Sequence, residues 1–236
     1  MRRTGLLVIS LLLAGGLLEW GLRWALPGGL HVRADERSLS YRHDAELGWF
    51  PEAGSDHVIE GSRRFRAVHN SRGFRDREPG PKQRPRLLVL GDSYVWGFDV
   101  EADERFTEHL QERMPGWEVL NLGVSGYGTD QALLLLEREI EFYDPDLVFL
   151  VFTEQNDRDD NRRNRSYEYY YKPWFESGAE GLALRGTPVP RSLPQLQREW
   201  PWLFESWLVR GIVHGALTLL HPPRAGPDPS EALVLA

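Results

Sequence analysis

The sequence predicts an α/β fold built on a parallel β-sheet, and an apolar helix precedes the sheet in the chain. Short runs at 87–90, 117–122 and 147–152 have the length of strands, and the first and third are apolar at every position, as in strands that are buried on both faces. Segments in which apolar residues recur at helical spacing, at about 104–114 and 129–142, separate these runs. Strands that alternate with helices along a chain are typical of a parallel sheet.

The N-terminal residues 1–30 have the composition of a targeting segment. Two arginines precede an uncharged apolar run over residues 5–18, and Glu19 and Arg23 follow it. A cleaved signal peptide and an uncleaved signal anchor share this layout, and we favour the anchor because no small-x-small cleavage site follows the run. Glu19 and Arg23 are four residues apart, so they can pair on a helix. The positive-inside rule then predicts an extracytoplasmic main domain, in the periplasm or at the cell surface.

The composition excludes several classes of function. The chain has 236 residues, enough for one domain with an extension. Its net charge of -7 argues against a nucleic-acid partner, because phosphates attract basic surfaces. The absence of cysteine excludes disulfides, a thiol nucleophile and thiolate metal ligands. The sequence indicates neither a cofactor nor a metal site, and it does not determine an oligomeric state.

Two regions complete the predicted domain organisation. Residues 31–85 form a polar lead-in with short extended pieces, which ends in a proline-rich linker. Residues 86–236 form the α/β domain, with an aromatic-rich insertion at about 166–190. The aromatic side chains of the insertion have two possible roles. They could contact substrate, by stacking on sugar rings or by lining an acyl groove. They could instead pack an inserted hairpin whose partner strand contains residues 182–184. Apolar residues recur at helical spacing within 194–220, and this pattern predicts one long helix followed by a proline-rich linker.

The first predicted strand ends in Gly91-Asp92-Ser93, just before a helical segment. Open α/β sheets bind their ligands at the carboxyl edge of the strands, so Ser93 is expected at that edge. Glycine at position 91 lets the backbone turn sharply. Ser93 is therefore a candidate nucleophile. The alternatives are a Ser/Asp pair that caps the following helix, or a glycine loop that binds phosphate.

The other two predicted strands also end in small or polar residues. A glycine-rich turn at 123–128 follows the second strand, and Asn156-Asp157 follows the third. The ends of parallel strands meet at one edge, so these residues are expected near Ser93. A serine ester mechanism needs a hydroxyl, a base and donors to the developing oxyanion. Gly126 can offer a backbone N–H group and Asn156 a side-chain amide.

These three motifs resemble the first three sequence blocks of the GDSL, or SGNH, hydrolases. The similar segments are Gly91-Asp92-Ser93, residues 121–126 and Asn156-Asp157. In addition, residues 47–49 and 70–74 resemble the N-terminal part of membrane-anchored bacterial members of the family. The resemblance runs from about residue 44 to at least 160. It implies a flavodoxin-like, three-layer α/β fold.

The resemblance also implies an activity and a site. Ser93 would be the nucleophile, and its own N–H, Gly126 and Asn156 would form the oxyanion hole. The expected reaction is hydrolysis of ester-linked acyl groups on a carbohydrate or lipid, through an acyl-Ser93 intermediate and without a cofactor. Transfer of the acyl group to a glycan hydroxyl would use the same residues.

Two departures from the family pattern limit this expectation. Glu154 stands where the third block usually has glycine. The last block, Asp-x-x-His, is missing, since no histidine in the chain has an aspartate three residues before it. His69 in a turn and His214 and His221 at the C-terminal helix are expected to be structural, and His109 is expected on the solvated face of its helix. Whether the chain is an enzyme is therefore open, and a non-catalytic glycan- or partner-binding module is the alternative.

The region after Asn156 leads to two further expectations. Residues 157–165 carry aspartates that suggest a hard-metal site, but the interleaved arginines favour a solvated loop. Only three core strands are predicted, whereas the family that the chain resembles has a sheet of about five. The third strand is apolar enough to need a neighbour, and an unpaired edge is prone to association. We therefore expect the sequence to be C-terminally incomplete as a hydrolase; the alternative is that His214, His221 or a partner supplies the base.

Overall fold

A computed structural model describes residues 2–25, 39–167, 169–179 and 181–224. The chain divides into two compact units. A helical unit comprises residues 1–33 and 193–222, and an α/β unit comprises the remaining residues, 34–192 and 223–236. Most of the proline-rich linker predicted after the last helix lies outside the described residues.

The N-terminal segment is a helix, α1 (Arg2–Ala25), as predicted. Its segment Thr4–Ala25 is 22 residues long and apolar enough to cross a membrane. At a rise of about 1.5 Å per residue, this segment reaches about 33 Å, comparable to a hydrocarbon core of about 30 Å. The predicted pair is present, with Arg23 Nε 2.8 Å from Glu19 Oε1.

The lead-in forms two antiparallel hairpins. β1 (Tyr41–Asp44) pairs with β2 (Gly48–Pro51), and β3 (Asp56–Glu60) pairs with β4 (Arg64–Val68). Although the sequence of this region is polar overall, several of its aromatic and aliphatic side chains are buried in the main core cluster: Tyr41, Leu47, Trp49 and Phe74. The lead-in is therefore packed onto the α/β core.

The central sheet has three parallel strands within the described residues. β5 (Arg86–Leu90) lies between β6 (Glu118–Asn121) and β7 (Leu147–Leu150), and the order is β6-β5-β7. All five residues of β5 are buried, as its apolar sequence predicts. β7 differs, because Phe149 and Leu150 are each 48% exposed. Among the described residues β7 pairs with β5 alone, so no described strand covers its other edge.

Helices connect and follow the three strands. α2 (Ser93–Trp96) and α3 (Phe106–Arg113) lie between β5 and β6, α4 (Thr129–Tyr143) lies between β6 and β7, and α5 (Glu154–Arg162) follows β7. The solvated loop expected at 157–165 is wrong for its first six residues, which belong to α5. Ion pairs four residues apart stabilise this helix, Arg158 with Glu154 at 3.4 Å and Arg163 with Asp159 at 3.1 Å.

The aromatic-rich insertion forms two small antiparallel pairs. β8 (Arg165–Ser166) pairs with β9 (Tyr170–Tyr171), and β10 (Trp174–Gly178) pairs with β11 (Gly181–Arg185). β11 contains the partner strand predicted at 182–184. Packing of an inserted hairpin therefore accounts for part of the aromatic cluster.

The long helix predicted at 194–220 is interrupted. The structure has α6 (Leu193–Glu199), a 3₁₀ turn (Leu203–Glu205) and α7 (Trp207–Leu220). Pro201 cannot donate a helical hydrogen bond, which explains the break. Ser206 then begins a new helix, because its Oγ accepts a hydrogen bond from the Val209 N–H at 3.3 Å.

Candidate active site

Ser93 is the first residue of α2, directly after the turn that ends β5. Gly91 in this turn has φ +157°, and a Cβ there would lie 2.5 Å from Cγ2 of Val95, so only glycine fits. Asp92 is the N-cap residue, and its Oδ1 accepts a hydrogen bond from the Tyr94 N–H at 3.0 Å. The capping alternative thus holds for Asp92. The half-buried Ser93 hydroxyl has no hydrogen-bond partner among the residues that the structure describes.

The loops after all three strands meet at the serine turn. The Val124 N–H donates to the Gly91 carbonyl at 3.0 Å, and the Val151 N–H donates to the Leu90 carbonyl at 2.9 Å. The loops that follow β6 and β7 therefore flank the loop that follows β5. This is the convergence that the parallel arrangement predicts.

Asn121, at the end of β6, holds α2 in place. Its side-chain amide donates to the Val95 carbonyl at 2.6 Å and to Thr107 Oγ1 at 3.1 Å. Its Oδ1 accepts a hydrogen bond from the Gly123 N–H at 3.0 Å. Asn121 is fully buried, so these bonds satisfy a polar group that would otherwise destabilise the fold. This side chain connects the second motif to the helix that begins with Ser93.

Gly126 lies in the loop after β6 and has a left-handed backbone, with φ +82°. A Cβ at this position would lie 2.4 Å from Cε2 of Tyr167, so both the backbone and the neighbouring ring require glycine. The Gly126 N–H has no acceptor within the described ranges of the chain. The sequence placed Tyr167 in an aromatic cluster, but nothing in the sequence indicated that its ring packs against Gly126.

Asn156 lies in the first turn of α5 and reaches the serine turn. Its amide Nδ2 donates to Asp92 Oδ2 at 3.0 Å. This nitrogen carries two hydrogens, so one of them remains for another acceptor. The third motif thus contacts the residue next to Ser93.

Buried acidic residues lie behind these loops. Burial raises the pKa of Asp157 to about 7, and the charge of Asp92 adds to the increase. The pKa of Asp160 is raised to about 6 for the same main reason. Lys172 brings a positive charge to these aspartates. Its Nζ forms a buried ion pair with Asp130 and donates a hydrogen bond to the backbone carbonyl of Asp160 at 3.0 Å. No sequence pattern indicated the pairing of Lys172 with Asp130, since it depends on the folding of the insertion.

His69 is a structural residue. Trp96 Nε1 donates to His69 Nε2 at 3.1 Å, so Nδ1 carries the proton and donates to Ser55 Oγ at 2.9 Å. The imidazole stacks on the Trp96 ring with 5.9 Å between centroids. Burial lowers the pKa of His69 to about 3, and the nearby Arg75 charge contributes. The ring is therefore neutral and fully used inside the core.

The other described histidines of the α/β unit are not hydrogen-bonded to Ser93. His43 Nε2 is bonded to the Val189 carbonyl at 2.8 Å, and His109 Nδ1 is 3.5 Å from Glu112 on the surface, as expected for a solvated face. His214 and His221 belong to the helical unit. Within the described chain, no group of three or more His, Asp or Glu side chains is arranged to hold a metal ion.

An apolar groove of about 350 Å³ lies along β7 and α4. Phe175 and Leu182 of the insertion line it, together with Leu150 and Phe152, and Asp130 and Asn161 contribute polar groups. One member of the predicted aromatic cluster, Phe175, therefore borders a groove of the kind that apolar chains occupy.

No protein-family model matches the chain, and no curated protein matches it either. Any functional conclusion must therefore rest on the geometry of the site.

Proposed function

We propose that the α/β unit is a serine ester hydrolase of the SGNH type, which removes acyl groups from a carbohydrate or lipid through an acyl-Ser93 intermediate. The observation that carries this proposal is the contact between Asn156 and Asp92, which brings an amide donor beside Ser93. The strand order β6-β5-β7 also matches the first three strands of a flavodoxin-like sheet, which supports the finer assignment of the fold.

The proposed chemistry follows from the groups at the strand ends. The Ser93 hydroxyl attacks the ester carbonyl, and the developing oxyanion accepts hydrogen bonds from the Ser93 N–H, the Gly126 N–H and the Asn156 amide. Such donors are effective because they are already oriented before the reaction. The ester bond breaks, the alcohol leaves, and water then cleaves the acyl-Ser93 ester. The proton of Ser93 must pass to a base during the attack.

The base is the reason for a second candidate function. Within the described α/β unit, no histidine hydrogen-bonds Ser93, and the Asp-x-x-His motif is missing from the sequence. A site that has oxyanion donors without a base can still bind an acylated glycan. A non-catalytic binding module is therefore the alternative that this observation favours.

The proposal includes a location. Helix α1 is long and apolar enough to cross a membrane, and its N-terminal end carries Arg2 and Arg3. We propose that α1 anchors the protein with this basic end in the cytoplasm. The α/β unit would then act on esters in the periplasm or at the cell surface.

Covalent labelling of the full-length protein in detergent with a fluorophosphonate probe tests the enzyme proposal. An activated Ser93 should be labelled, and Ser93→Ala should abolish the labelling. Ser62→Ala is the matched control, because Ser62 lies in the exposed β3–β4 turn and should leave labelling unchanged. Binding of an acylated glycan by folded protein that is not labelled would replace the enzyme with the binding module.

A further inference from the structure

Helix α7 of the helical unit has an unusual surface for a helix in water. Among its 14 residues Arg210 is the only charged one, and none of the 14 is buried. Ile212 is 62% exposed, Leu219 is 84% exposed and Leu220 is 72% exposed. A contiguous apolar surface of this kind marks an interaction site.

The N-terminus of α7 is capped by a side chain of α1. The Glu19 carboxylate accepts hydrogen bonds from the Trp207 N–H at 3.0 Å, the Leu208 N–H at 2.9 Å and Ser206 Oγ at 2.9 Å. The first N–H groups of an α-helix need acceptors from outside the helix ladder, and Glu19 supplies them for Trp207 and Leu208. The negative charge also suits the positive end of the helix dipole.

Arg23 completes this polar contact. Its guanidinium pairs with Glu19 at 2.8 Å and donates to the Glu205 carbonyl at 3.0 Å. The charge of Glu19 is thus neutralised on one side by Arg23 and on the other by the start of α7. In a bilayer every backbone donor must be satisfied inside the protein, and this contact does so for the first turn of α7.

The position of the cap relates α7 to the proposed anchor. Glu19 lies six residues before Ala25, the end of α1, which corresponds to about 9 Å along the helix. α7 packs against α1, and the partly buried residues of α1 include Gly15, Glu19 and Leu22 on one face. α7 therefore begins at the end of the uncharged run of α1, within the segment Thr4–Ala25 that is long enough to cross a membrane.

Four exposed tryptophans lie close in sequence to the residues that join α1 and α7. Trp20 follows Glu19, Trp24 follows Arg23, and Trp200 and Trp202 precede the 3₁₀ turn that leads to Ser206. All four are more than half exposed. Tryptophan is enriched at the interface between lipid and water.

We propose that α7 is a second membrane-embedded helix, whose exposed apolar side chains contact the acyl chains of a phospholipid bilayer next to α1. This inference rests on the proposed anchoring role of α1. It assigns a lipid-facing role to a helix that is too short to cross a bilayer by itself. The Glu19 cap fixes the start of α7 against α1.

The natural chain has no cysteine, so single cysteines can be placed in the full-length protein without other changes. We would label Leu219→Cys with bimane, reconstitute the protein in phosphatidylcholine/phosphatidylglycerol vesicles, and measure quenching by nitroxide-labelled lipids. Leu12→Cys in α1 is the positive control. Val58→Cys, at an exposed apolar residue of the α/β unit, is the negative control.

The proposal predicts that nitroxide-labelled lipids quench the bimane at Leu219→Cys, as they do at Leu12→Cys, while the bimane at Val58→Cys stays unquenched. Quenching of Leu12→Cys alone would overturn the proposal and leave the anchor intact, and α7 would then face water, protein or a second copy. Quenching of neither would overturn the anchor as well.

A change at Glu19 tests the cap separately. Glu19→Leu in the Leu219→Cys background should reduce the quenching at residue 219, while the same change should not affect quenching at residue 12. Glu19→Gln keeps an oxygen acceptor, so it should retain part of the quenching at residue 219 that Glu19→Leu loses. Equal quenching at residue 219 with and without Glu19 would show that the cap does not hold α7 in the bilayer.

Discussion

The side-chain amide of Asn156 donates a hydrogen bond to the carboxylate of Asp92, with 3.0 Å between Nδ2 and Oδ2. The two residues are 64 positions apart in the chain, and they belong to loops that follow different strands. Asp92 in turn caps the helix that begins with Ser93. One hydrogen bond therefore sets the position of a candidate oxyanion donor relative to the candidate nucleophile.

Replacement of Asn156 by alanine should reduce ester turnover. Loss of one oxyanion donor lowers the rate by roughly 10²–10³ in enzymes of this type. The change should leave the melting temperature almost unaltered, because Asn156 is only half-buried. Steady-state kinetics on a preparation that is active at the start measure the effect. Gln155→Ala, an exposed neighbour on α5, is the control, and unchanged turnover in Asn156→Ala would remove this residue from the site.

Gly126→Ala should destabilise the α/β unit. The left-handed backbone alone costs about 1–2 kcal/mol for a residue with a Cβ, and the Tyr167 ring adds a steric clash. Tyr167→Ala in the same chain should relieve the clash but not the backbone term. Urea unfolding of both variants measures the two contributions. Gly80→Ala is the control, because no atom lies within 4 Å of the added Cβ, and equal stability of the two glycine variants would contradict the prediction.

The buried His69 should make stability fall in acid. Its folded pKa of about 3 is below the ordinary value of 6.5, so the unfolded chain binds the proton first as the pH falls. The stabilising contribution is complete above pH 6.5 and is lost progressively as the pH falls from there towards 3. The slope of the unfolding free energy is at most about 1.4 kcal/mol per pH unit for one proton.

Denaturant unfolding between pH 7 and pH 4 measures this slope. His69→Gln should flatten it, because a glutamine side chain does not titrate. The same slope in wild type and His69→Gln would assign the acid sensitivity to other groups.

Asp157 should act in the opposite direction. Its folded pKa of about 7 is above the ordinary value of 3.8, so the folded state holds the proton more tightly. The contribution of Asp157 to stability is complete below pH 3.8 and is lost as the pH rises through 7. Asp157→Asn should therefore raise the melting temperature at pH 8 more than at pH 5. Asp159→Asn, an exposed residue of the same helix, should show no such difference, and a pH-independent effect of Asp157→Asn would refute the explanation.

Protease added outside spheroplasts should digest the α/β unit and leave the N-terminus protected. The expectation follows from the two arginines that precede the apolar part of α1. Immunoblots with tags at both ends give the result, and detergent-treated spheroplasts provide the control for complete digestion. An α/β unit that stays intact until detergent is added would place it in the cytoplasm.

Local sequence signals were enough for the central strands and for the turn at Ser93. The run at 87–90 is apolar at every position, and such a run has few alternatives to a buried strand. Gly91 and Asp92 predict a turn and a cap from their own backbone and side-chain properties, and the structure has both. The length of α1 and its ion pair between Glu19 and Arg23 were equally visible, because both depend on residues within one helix.

Local signals failed where ionic or backbone effects competed. The charged residues of α5 suggested a loop, but their spacing of four allows ion pairs that stabilise a helix. The apolar pattern across 194–220 suggested one helix, and Pro201 divides it because a proline has no N–H group to donate. Both features are local, since the first depends on the four-residue spacing of opposite charges and the second on one proline.

Contacts between distant segments were determined only by the tertiary structure. The sequence alone established the three strands, the serine turn and the apolar N-terminal helix, since each depends on residues that are close together in the chain. The packing of Tyr167 on Gly126 and the burial of Lys172 against Asp130 depend on how the insertion folds over the loops. The capping of α7 by Glu19 joins residues more than 180 positions apart. Such pairings result from the shape of the folded chain, because burial selects partners by position in space and no local pattern encodes that position.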